Sequence, residues 1–343
     1  MKNTLISILN KKPNDYSKFE TKFFLQTKKS LVFDKSNKKT SSKVSIIIPC
    51  YKSKMMIKKV LLAINAQKNI SKEQIEIILI NDYPDDNLEN IIPKTKFITT
   101  IVSNRKNFGA AISRNIGLAL AKNKFVCFLD SDTIIAPNYI SQHLQRAEIL
   151  PNIVSFSFRK KVSLNSPTIS DKKIKTKTIQ IKFGDWADYR YKKNLLTLIN
   201  KNLRKNTFLS LLDLTNNFKN FGQGKIFELW TLPMIIATHN LFLPSKIAYQ
   251  AGGFDPQFKY TQWEDFCFGA KIIILSNYII PCLSTSVISI KSSNLTKKKS
   301  YFKQNQKIFD RILNKPLVTS SKAKIIQTYL NPKYIKRMMV MPK

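Results

Sequence analysis

Four short, nearly continuous apolar runs constrain this chain more than any other feature: Val44–Cys50, Glu76–Asp82, Phe97–Val102 and Phe125–Leu129. Runs of that length without polar alternation are the signature of strands buried on both faces. Between them lie helical spacings, at Met56, Val60, Ala63 and Ile64 and again over Ala110–Ala121. Strands alternating with helices build parallel βαβ units. Residues 44–135 therefore read as one half of a mostly parallel, doubly wound α/β sheet with helices on both faces. A further helix opens after Pro137 at Asn138 and runs through Leu150.

Parallel strands share one C-terminal edge, and open α/β sheets bind ligands there. The runs bring Cys50-Tyr51-Lys52, Asn81-Asp82, Asn104 and Asp130-Ser131-Asp132 to that edge. Asp130 and Asp132, flanking one small residue, can offer oxygens to a hard cation such as Mn²⁺ or Mg²⁺, and such ions clamp phosphates. An Asp-X-Asp alone is also a common turn element. The chain has no glycine-rich phosphate loop of either the G-x-G-x-x-G or the G-x-x-x-x-G-K kind, so a nucleotide bound here needs a metal for its phosphates.

Composition adds less than its extremity suggests. The 343 residues carry 58 Lys and Arg against 21 Asp and Glu, a net charge of +37, and eight of the basic residues are Arg. An AT-rich coding genome produces the same Lys, Asn and Ile bias, so charge by itself decides little. It predicts attraction to anionic lipid, nucleic acid or acidic glycans at low salt. No helix-turn-helix, zinc-finger or RNA-recognition pattern accompanies it, which argues against nucleic acid. Peripheral contact with an anionic membrane face fits better.

Cys50, Cys127, Cys267 and Cys282 are widely spaced and read as buried reduced thiols, which suits a cytoplasmic home. The N-terminal apolar stretch is too short for a convincing signal peptide. The charge-free stretch Ile272–Ile290 contains Pro281 and several Ser, which points to two buried strands around a turn rather than a spanning helix. Along the chain, 1–43 reads as a basic extension with one helix near Phe19, Phe23, Phe24 and Leu25. Residues 44–158 read as the first half of the α/β domain, 159–290 as its second half, and 291–343 as a second basic extension. Residues 159–182 look like an exposed connection, and the stretch that follows to Phe227 leans helical. The amphipathic segment around Phe302, Ile308, Phe309 and Ile312 reads as a packed terminal helix, with a membrane-surface element as the alternative.

Assembled in order, the motifs resemble inverting family 2 glycosyltransferases, which have the GT-A fold. Val44-Ser-Ile-Ile-Ile-Pro-Cys-Tyr51 is similar to that family's V-S-V-I-I-P-x-Y-N, and Asn81-Asp82-Tyr-Pro-Asp-Asp86 stands where it has D-D-G-S-x-D. Asn107-Phe-Gly109 through Arg114-Asn115-Ile-Gly117 resembles N-x-G-x-x-x-A-R-N-x-G, and Phe128-Leu-Asp130-Ser131-Asp132 resembles F-L-D-x-D. In the second half, Thr238-His239-Asn240, Gly252-Gly253-Phe254-Asp255 and Trp263-Glu264-Asp265 follow G-N, G-G-F-D and W-x-E-D. Gly184–Arg190 is loosely similar to a D-W-R-x-x-Y element of some relatives.

The resemblance implies transfer of a sugar from a nucleotide-sugar, UDP-linked by expectation, to a glycan, lipid-linked or peptide acceptor. Asp265 would be the catalytic base with a modest pKa, and Glu264 a supporting acid. Nucleotide-sugar contacts would come from Pro49, Tyr51, Asp82, Asn107, Gly109, Arg114, Asp130, Ser131, Asp132, Asn240 and Trp263. Asp132 and Asp130 would hold the metal.

Asn81 departs from the pattern, leaving Asp82 to contact the base. Many relatives also have a His after the Glu-Asp pair, where this chain has Ser289 or Lys291. Of its two His, His143 reads as a surface or packing residue, while His239 is a candidate for the site. These departures keep a catalytically degraded nucleotide-sugar-binding protein, or a basic membrane- or nucleic-acid-binding module, as the alternative.

Overall fold

The computed structural model describes residues 3–9, 11, 17–32, 34–179, 188, 233–258, 263–277, 279–290 and 302–341. The expected alternation is present. In chain order come α1 (Leu5–Leu9), α2 (Ser17–Thr27), β1 (Val44–Cys50), α3 (Lys54–Asn65), β2 (Ile75–Asn81), β3 (Ile98–Asn104), α4 (Ala110–Leu120), β4 (Phe125–Leu129), β5 (Thr133–Ile135) and α5 (Tyr139–Ile149). Then follow β6 (Val154–Phe156), β7 (Arg159–Val162), α6 (Asp171–Lys175), β8 (Asn240–Pro244), α7 (Ser245–Gln250), α8 (Glu264–Leu275), β9 (Ile279–Pro281), β10 (Val287–Ile290), α9 (Phe302–Leu313), α10 (Lys322–Tyr329) and β11 (Ile335–Met341).

Eight of these strands form one sheet in the order β11-β3-β2-β1-β4-β8-β6-β9. β3, β2, β1 and β4 run parallel, whereas β8 and β11 are antiparallel to their neighbours β4 and β3. Strand order turns back between β1 and β4, which makes the crevice between their C-terminal ends the topological switch point. A second sheet, β5-β10-β7, stands beside that crevice.

Alternation along the strands divides the core. Ile47, Ile78, Ile80, Val102, Val126 and Phe128 join a layer with α4 and the second-half helices. Val44, Ile46, Ile48, Ile75, Ile77 and Leu79 join the opposite layer with α3 and α5. Both faces of the central strands are thereby apolar, which is why their sequences read as continuous runs.

Several expectations need correcting. The N-terminal extension holds two helices, and Leu5, Leu9, Phe23, Leu31 and Val32 belong to the core, while Phe24 and Leu25 are exposed. Arg146, fully buried on α5, ties this segment down through its Nε to the Leu31 carbonyl at 2.5 Å and its NH2 to the Asp34 carbonyl at 2.8 Å. Residues 159–179 are not an exposed connection: they form β7 and α6 and bury Val162, Ile169, Ile174 and Ile179. Their apolar residues are too sparse to show a period. Ile272–Leu275 end helix α8, so the strands of the charge-free stretch are confined to 279–290, and Pro281 closes β9 rather than forming the turn. Among the described residues no helix is long and apolar enough to cross a membrane.

The C-terminal segment is integral to the domain. Phe309, Ile312 and Leu313 of α9 are buried, and Phe309 packs against Trp263 with ring centroids 5.0 Å apart. The amphipathic face of α9 is therefore covered by protein, as the packed-helix reading expects. Leu5 N also donates to the Lys315 carbonyl at 2.9 Å, joining the two terminal segments. All four cysteines are free and buried. Residues 189–232, 259–262 and 291–301 lie outside the described residues, and with them Lys291, the helix-leaning stretch to Phe227 and, apart from Asp188, the Gly184–Arg190 motif. Phe309→Ala should cost about 3–5 kcal/mol of stability, the usual loss for a buried aromatic. An unfolding free energy from denaturant titration that falls by less than about 1 kcal/mol would show α9 to be peripheral to the fold.

Candidate active site

The crevice at the switch point is built around one buried cation. Arg114 sits in the second turn of α4, and its guanidinium reaches both halves of the chain. NH2 donates to Asp130 Oδ1 at 2.9 Å, and NH1 donates to Glu264 Oε1 at 3.2 Å. The guanidinium also lies over the Phe254 ring, 5.3 Å from its centroid. Burial works against the charge on Arg114, but Asp130, Glu264 and Asp265 outweigh it and raise its pKa. The Asp-X-Asp loop after β4 and the Glu-Asp pair at the start of α8 are thus held to one point, although more than 130 residues separate them in sequence.

Chain geometry explains how the Glu-Asp pair arrives there. Trp263 adopts a left-handed backbone, φ 72°, and turns the chain directly into α8. Such a conformation is costly for a bulky residue and concentrates at functional sites. Glu264 and Asp265 then fill the first helical turn, where the helix dipole favours negative charge. Upstream, Gly253 has φ 67° and a bare Cα against the Asn115 side chain. The Asn115 amide bonds both the Phe254 carbonyl (2.7 Å) and the Phe254 N–H (2.8 Å), and a Cβ on Gly253 would collide with it. The G-G-F-D signature is therefore a docking turn against α4.

Asp82 has a comparable internal task. Its Oδ1 accepts from Asn104 Nδ2 (2.7 Å) and from Phe108 N (2.9 Å), and its Oδ2 accepts from Gly109 N (2.8 Å). Gly109, at φ 87°, caps α4, and Asn107 Oδ1 accepts from the same Gly109 N–H at 2.9 Å. Burial raises the Asp82 pKa, while these donors act in the other direction. The loop 107–109 is thereby pinned to the ends of β2 and β3. Asn81 shapes the next turn, donating to the Asp86 carbonyl and accepting from Tyr83 N.

At the end of β1, beyond Pro49, Tyr51 is exposed and meets Tyr83 edge-on with centroids 5.5 Å apart. Lys52 Nζ lies 4.9 Å from the Tyr83 ring centroid. On β8, Asn240 stands opposite Leu129, one residue before Asp130. Its Oδ1 accepts from Ser157 N at 2.7 Å, and its Nδ2 is buried without a hydrogen-bond partner among the described residues. Trp263 is buried against Phe266 and Phe309. His143 is a buried packing residue whose two ring nitrogens face the Ser155 and Ser157 hydroxyls, and burial holds its pKa well below the usual value. His239 is buried at the start of β8. The position after the Glu-Asp pair falls on β10, where Ser289 is paired with Thr133 and Ile290 N donates to the Asp132 carbonyl at 2.9 Å.

Two carboxyls have markedly raised pKa values. Asp265 is pushed up to about 8 by burial and then by the charge of Glu264, with Arg114 pulling the other way. The expectation of a modest value fails because the fold buries this carboxyl and gathers Glu264 and Asp130 around it. Asp132 is raised to about 7 by burial and by Asp130, and is lowered by the Thr133 hydroxyl and the Arg159 charge. Among the described residues no group of three or more His, Cys, Asp or Glu could enclose a metal. Asp130 keeps 38% of its side chain exposed, with Oδ2 left beside the oxygen that Arg114 holds. One or two carboxylates completed by phosphate oxygens and water suit Mg²⁺ or Mn²⁺, so the pair fits such an ion.

A doubly wound sheet with an Asp-X-Asp loop at its switch point and a Glu-Asp helix start beside it defines a GT-A glycosyltransferase architecture. Comparison with known proteins agrees. The family described as Glycosyl transferase family 2 matches residues 45–219, half of the chain. The chain belongs to that family.

An uncharacterized glycosyltransferase of Haemophilus influenzae is 31% identical over 110 residues, covering 32% of this chain and 36% of that protein. The poly(ribitol-phosphate) beta-N-acetylglucosaminyltransferase TarP of Staphylococcus aureus is 33% identical over 96 residues, covering 27% of this chain and 29% of TarP. This chain therefore spans about a third of the length of these relatives. Among solved structures, Staphylococcus aureus TarS 1–349 in complex with UDP-GlcNAc superposes with a TM-score of 0.55 at 17% identity, over 84% of this chain and 72% of that one.

Arg114→Met should destabilise the fold by about 3–5 kcal/mol, since it strands two buried acids without their cation. Chemical denaturation measures this, and a loss below about 1 kcal/mol would show the guanidinium to be dispensable. The Asp265 carboxyl predicts a pH effect of definite sign. Its folded pKa of about 8 exceeds the unfolded value of 3.8, so between these the folded state binds more protons. Stability then falls as pH rises through that window, and the loss is complete above pH 8. Asp265→Asn removes this loss, so its thermal midpoint relative to the unmutated protein should be higher at pH 9 than at pH 5. A pH-independent difference would contradict the raised value.

Proposed function

We propose that this protein transfers a hexosyl or N-acetylhexosaminyl unit from a UDP-sugar to a glycan, lipid-linked or peptide acceptor, with inversion at the anomeric carbon. The observation that carries this reading is the joining of the Asp130–Asp132 loop and the Glu264–Asp265 pair by Arg114 at one crevice. Diphosphate-side and acceptor-side carboxylates are thereby held within one site. The description of TarP as an N-acetylglucosaminyltransferase, and of TarS in complex with UDP-GlcNAc, supports the donor class.

The nucleoside lies at the switch point, with its base beside Tyr51 and the loop that Asp82 pins, and its diphosphate toward Asp130 and Asp132. Asp130 and Asp132 would hold Mn²⁺ or Mg²⁺, which when bound supplies Lewis-acid stabilisation of the charge growing on the leaving diphosphate. Asp265 takes the proton of the acceptor group as that group attacks the anomeric carbon from the face opposite the diphosphate. The new bond to the acceptor forms while the bond from the anomeric carbon to the β-phosphate oxygen breaks, so the configuration inverts. Arg114 biases Asp265 toward the ionised form that this step requires and keeps Glu264 in place beside it. The net charge of +37 would favour acidic acceptors and a peripheral position on the cytoplasmic face of an anionic membrane.

Calorimetric titration with UDP, GDP, CDP and dTDP, in Mn²⁺, Mg²⁺ or EDTA, tests the donor. Binding of UDP that needs metal and is lost in Asp132→Ala is the expected result. No nucleoside diphosphate binding under any metal would remove the enzymatic reading. With a UDP-sugar turned over, kcat/KM should rise with pH toward about 8 and level off, because the base must be ionised. Asp265→Asn should lower turnover by about 10²–10⁴-fold while donor affinity is kept.

A further inference from the structure

The three-stranded sheet beside the crevice carries a further cation, Arg159. β10 is its middle strand, pairing antiparallel with β5 and parallel with β7. Val287 faces Ile135 on one side and Arg159 on the other, so these three residues share a face of the sheet. Two positions along each strand, Thr133, Ser289 and Lys161 lie on that same face. Thr133 follows Asp132 directly, and its hydroxyl donates to Asp132 Oδ1 at 3.3 Å. Arg159 thus stands across β10 from the strand that leaves the Asp-X-Asp loop, on the side where that hydroxyl meets the Asp132 carboxylate.

Three further observations single it out. The Arg159 charge is felt at Asp132. Its Nε is buried and has no hydrogen-bond partner among the described residues, an uncommon state for a guanidinium N–H. Its backbone, by contrast, is fixed, because Arg159 N donates to Oδ2 of the buried Asp188 at 3.3 Å. Arg114, a second guanidinium at the crevice, is already held by Asp130 and Glu264. Among the described residues, Arg159 is thus a positioned arginine whose Nε has no acceptor, next to the acids proposed to face the donor. A planar guanidinium fork matches the paired oxygens of a phosphate.

We propose that Arg159 contacts the donor diphosphate and supplies fixed positive charge to it alongside Asp130 and Asp132. The assignment rests on the UDP-sugar reading above. It also stations charge where electrons accumulate as the sugar departs.

Arg159→Gln and Arg159→Lys, compared with the unmutated protein, test this by calorimetric titration with UDP and with uridine at fixed Mn²⁺. A contact to the diphosphate predicts that Arg159→Gln weakens UDP binding by about 10–100-fold, the range for a charge-assisted hydrogen bond, and leaves uridine binding unchanged. Arg159→Lys keeps the charge without the fork and should recover part of the loss. Equal weakening of UDP and uridine, or no weakening of UDP, overturns the assignment while leaving the transferase reading intact. Failure of the unmutated protein to bind UDP overturns the reading on which the assignment rests. Should Arg159→Gln not fold, Arg159→Lys decides alone: an unchanged preference for UDP over uridine counts against the contact, and a reduced one supports it.

Discussion

The buried guanidinium of Arg114 is the constraint on which the rest of this site depends. Taking an arginine out of water is expensive unless its donors are met by acids with good geometry. Here the acids come from opposite halves of the chain, Asp130 after β4 and Glu264 at the start of α8. Satisfying the charge therefore requires the second half to dock in one register. Asn115, one residue further along α4, enforces the same register through both backbone groups of Phe254. The polar cross-links specify the arrangement, and the packing of Phe254 and Phe268 against Phe128 supplies the apolar burial behind it.

The same charge balance sets the chemistry of the carboxyls around it. One guanidinium faces Asp130, Glu264 and Asp265, so the cluster carries more negative than positive charge in its ionised form. Asp265 bears the cost as a raised pKa. A carboxyl poised near neutrality is better matched to proton transfer than one at its solution value. The Asp265 carboxyl is thus raised first by burial and then by the acids crowded around it. Both ring nitrogens of His143 are engaged by serines inside the core.

How much of this could be read from the sequence follows from where each signal is stored. Strands β1 to β4 and helices α3 to α5 were legible because burial on both sheet faces forces continuous apolar runs between amphipathic helices. The convergence of Asp82, Asn104 and Asp130–Asp132 was legible because parallel strands share an edge. β11 was not, since Ile335–Met341 alternates weakly, with Lys336 and Arg337 in an edge position. Residues 159–182 read as an exposed connection because they are rich in Lys, Ser and Thr, and the four residues that 159–179 bury are too sparse to show a period. The internal duties of Asp82 and Arg114, and the location of Arg159, depend on contacts across the fold that local spacing does not encode. Asp265 stands out by its motif, but its raised pKa belongs to burial and to Glu264 and Asp130, an environment that only tertiary structure assembles.

The edge strand β11 has a consequence for how the protein is made. It pairs antiparallel with β3, from Met341 opposite Thr99 to Ile335 opposite Asn104, the residue that donates to Asp82. The partner of this ladder lies more than 230 residues downstream, so β3 remains the outer strand while most of the chain is translated. Closing such a long loop is intrinsically slow, and an unpaired edge is prone to wrong associations meanwhile. The half built on β1 to β4 can collapse early, but its outer border is sealed only after residues 335–341 emerge from the ribosome. Nascent chains stalled upstream of that point would carry an almost complete site on an open sheet, a state in which chaperone protection has an obvious target.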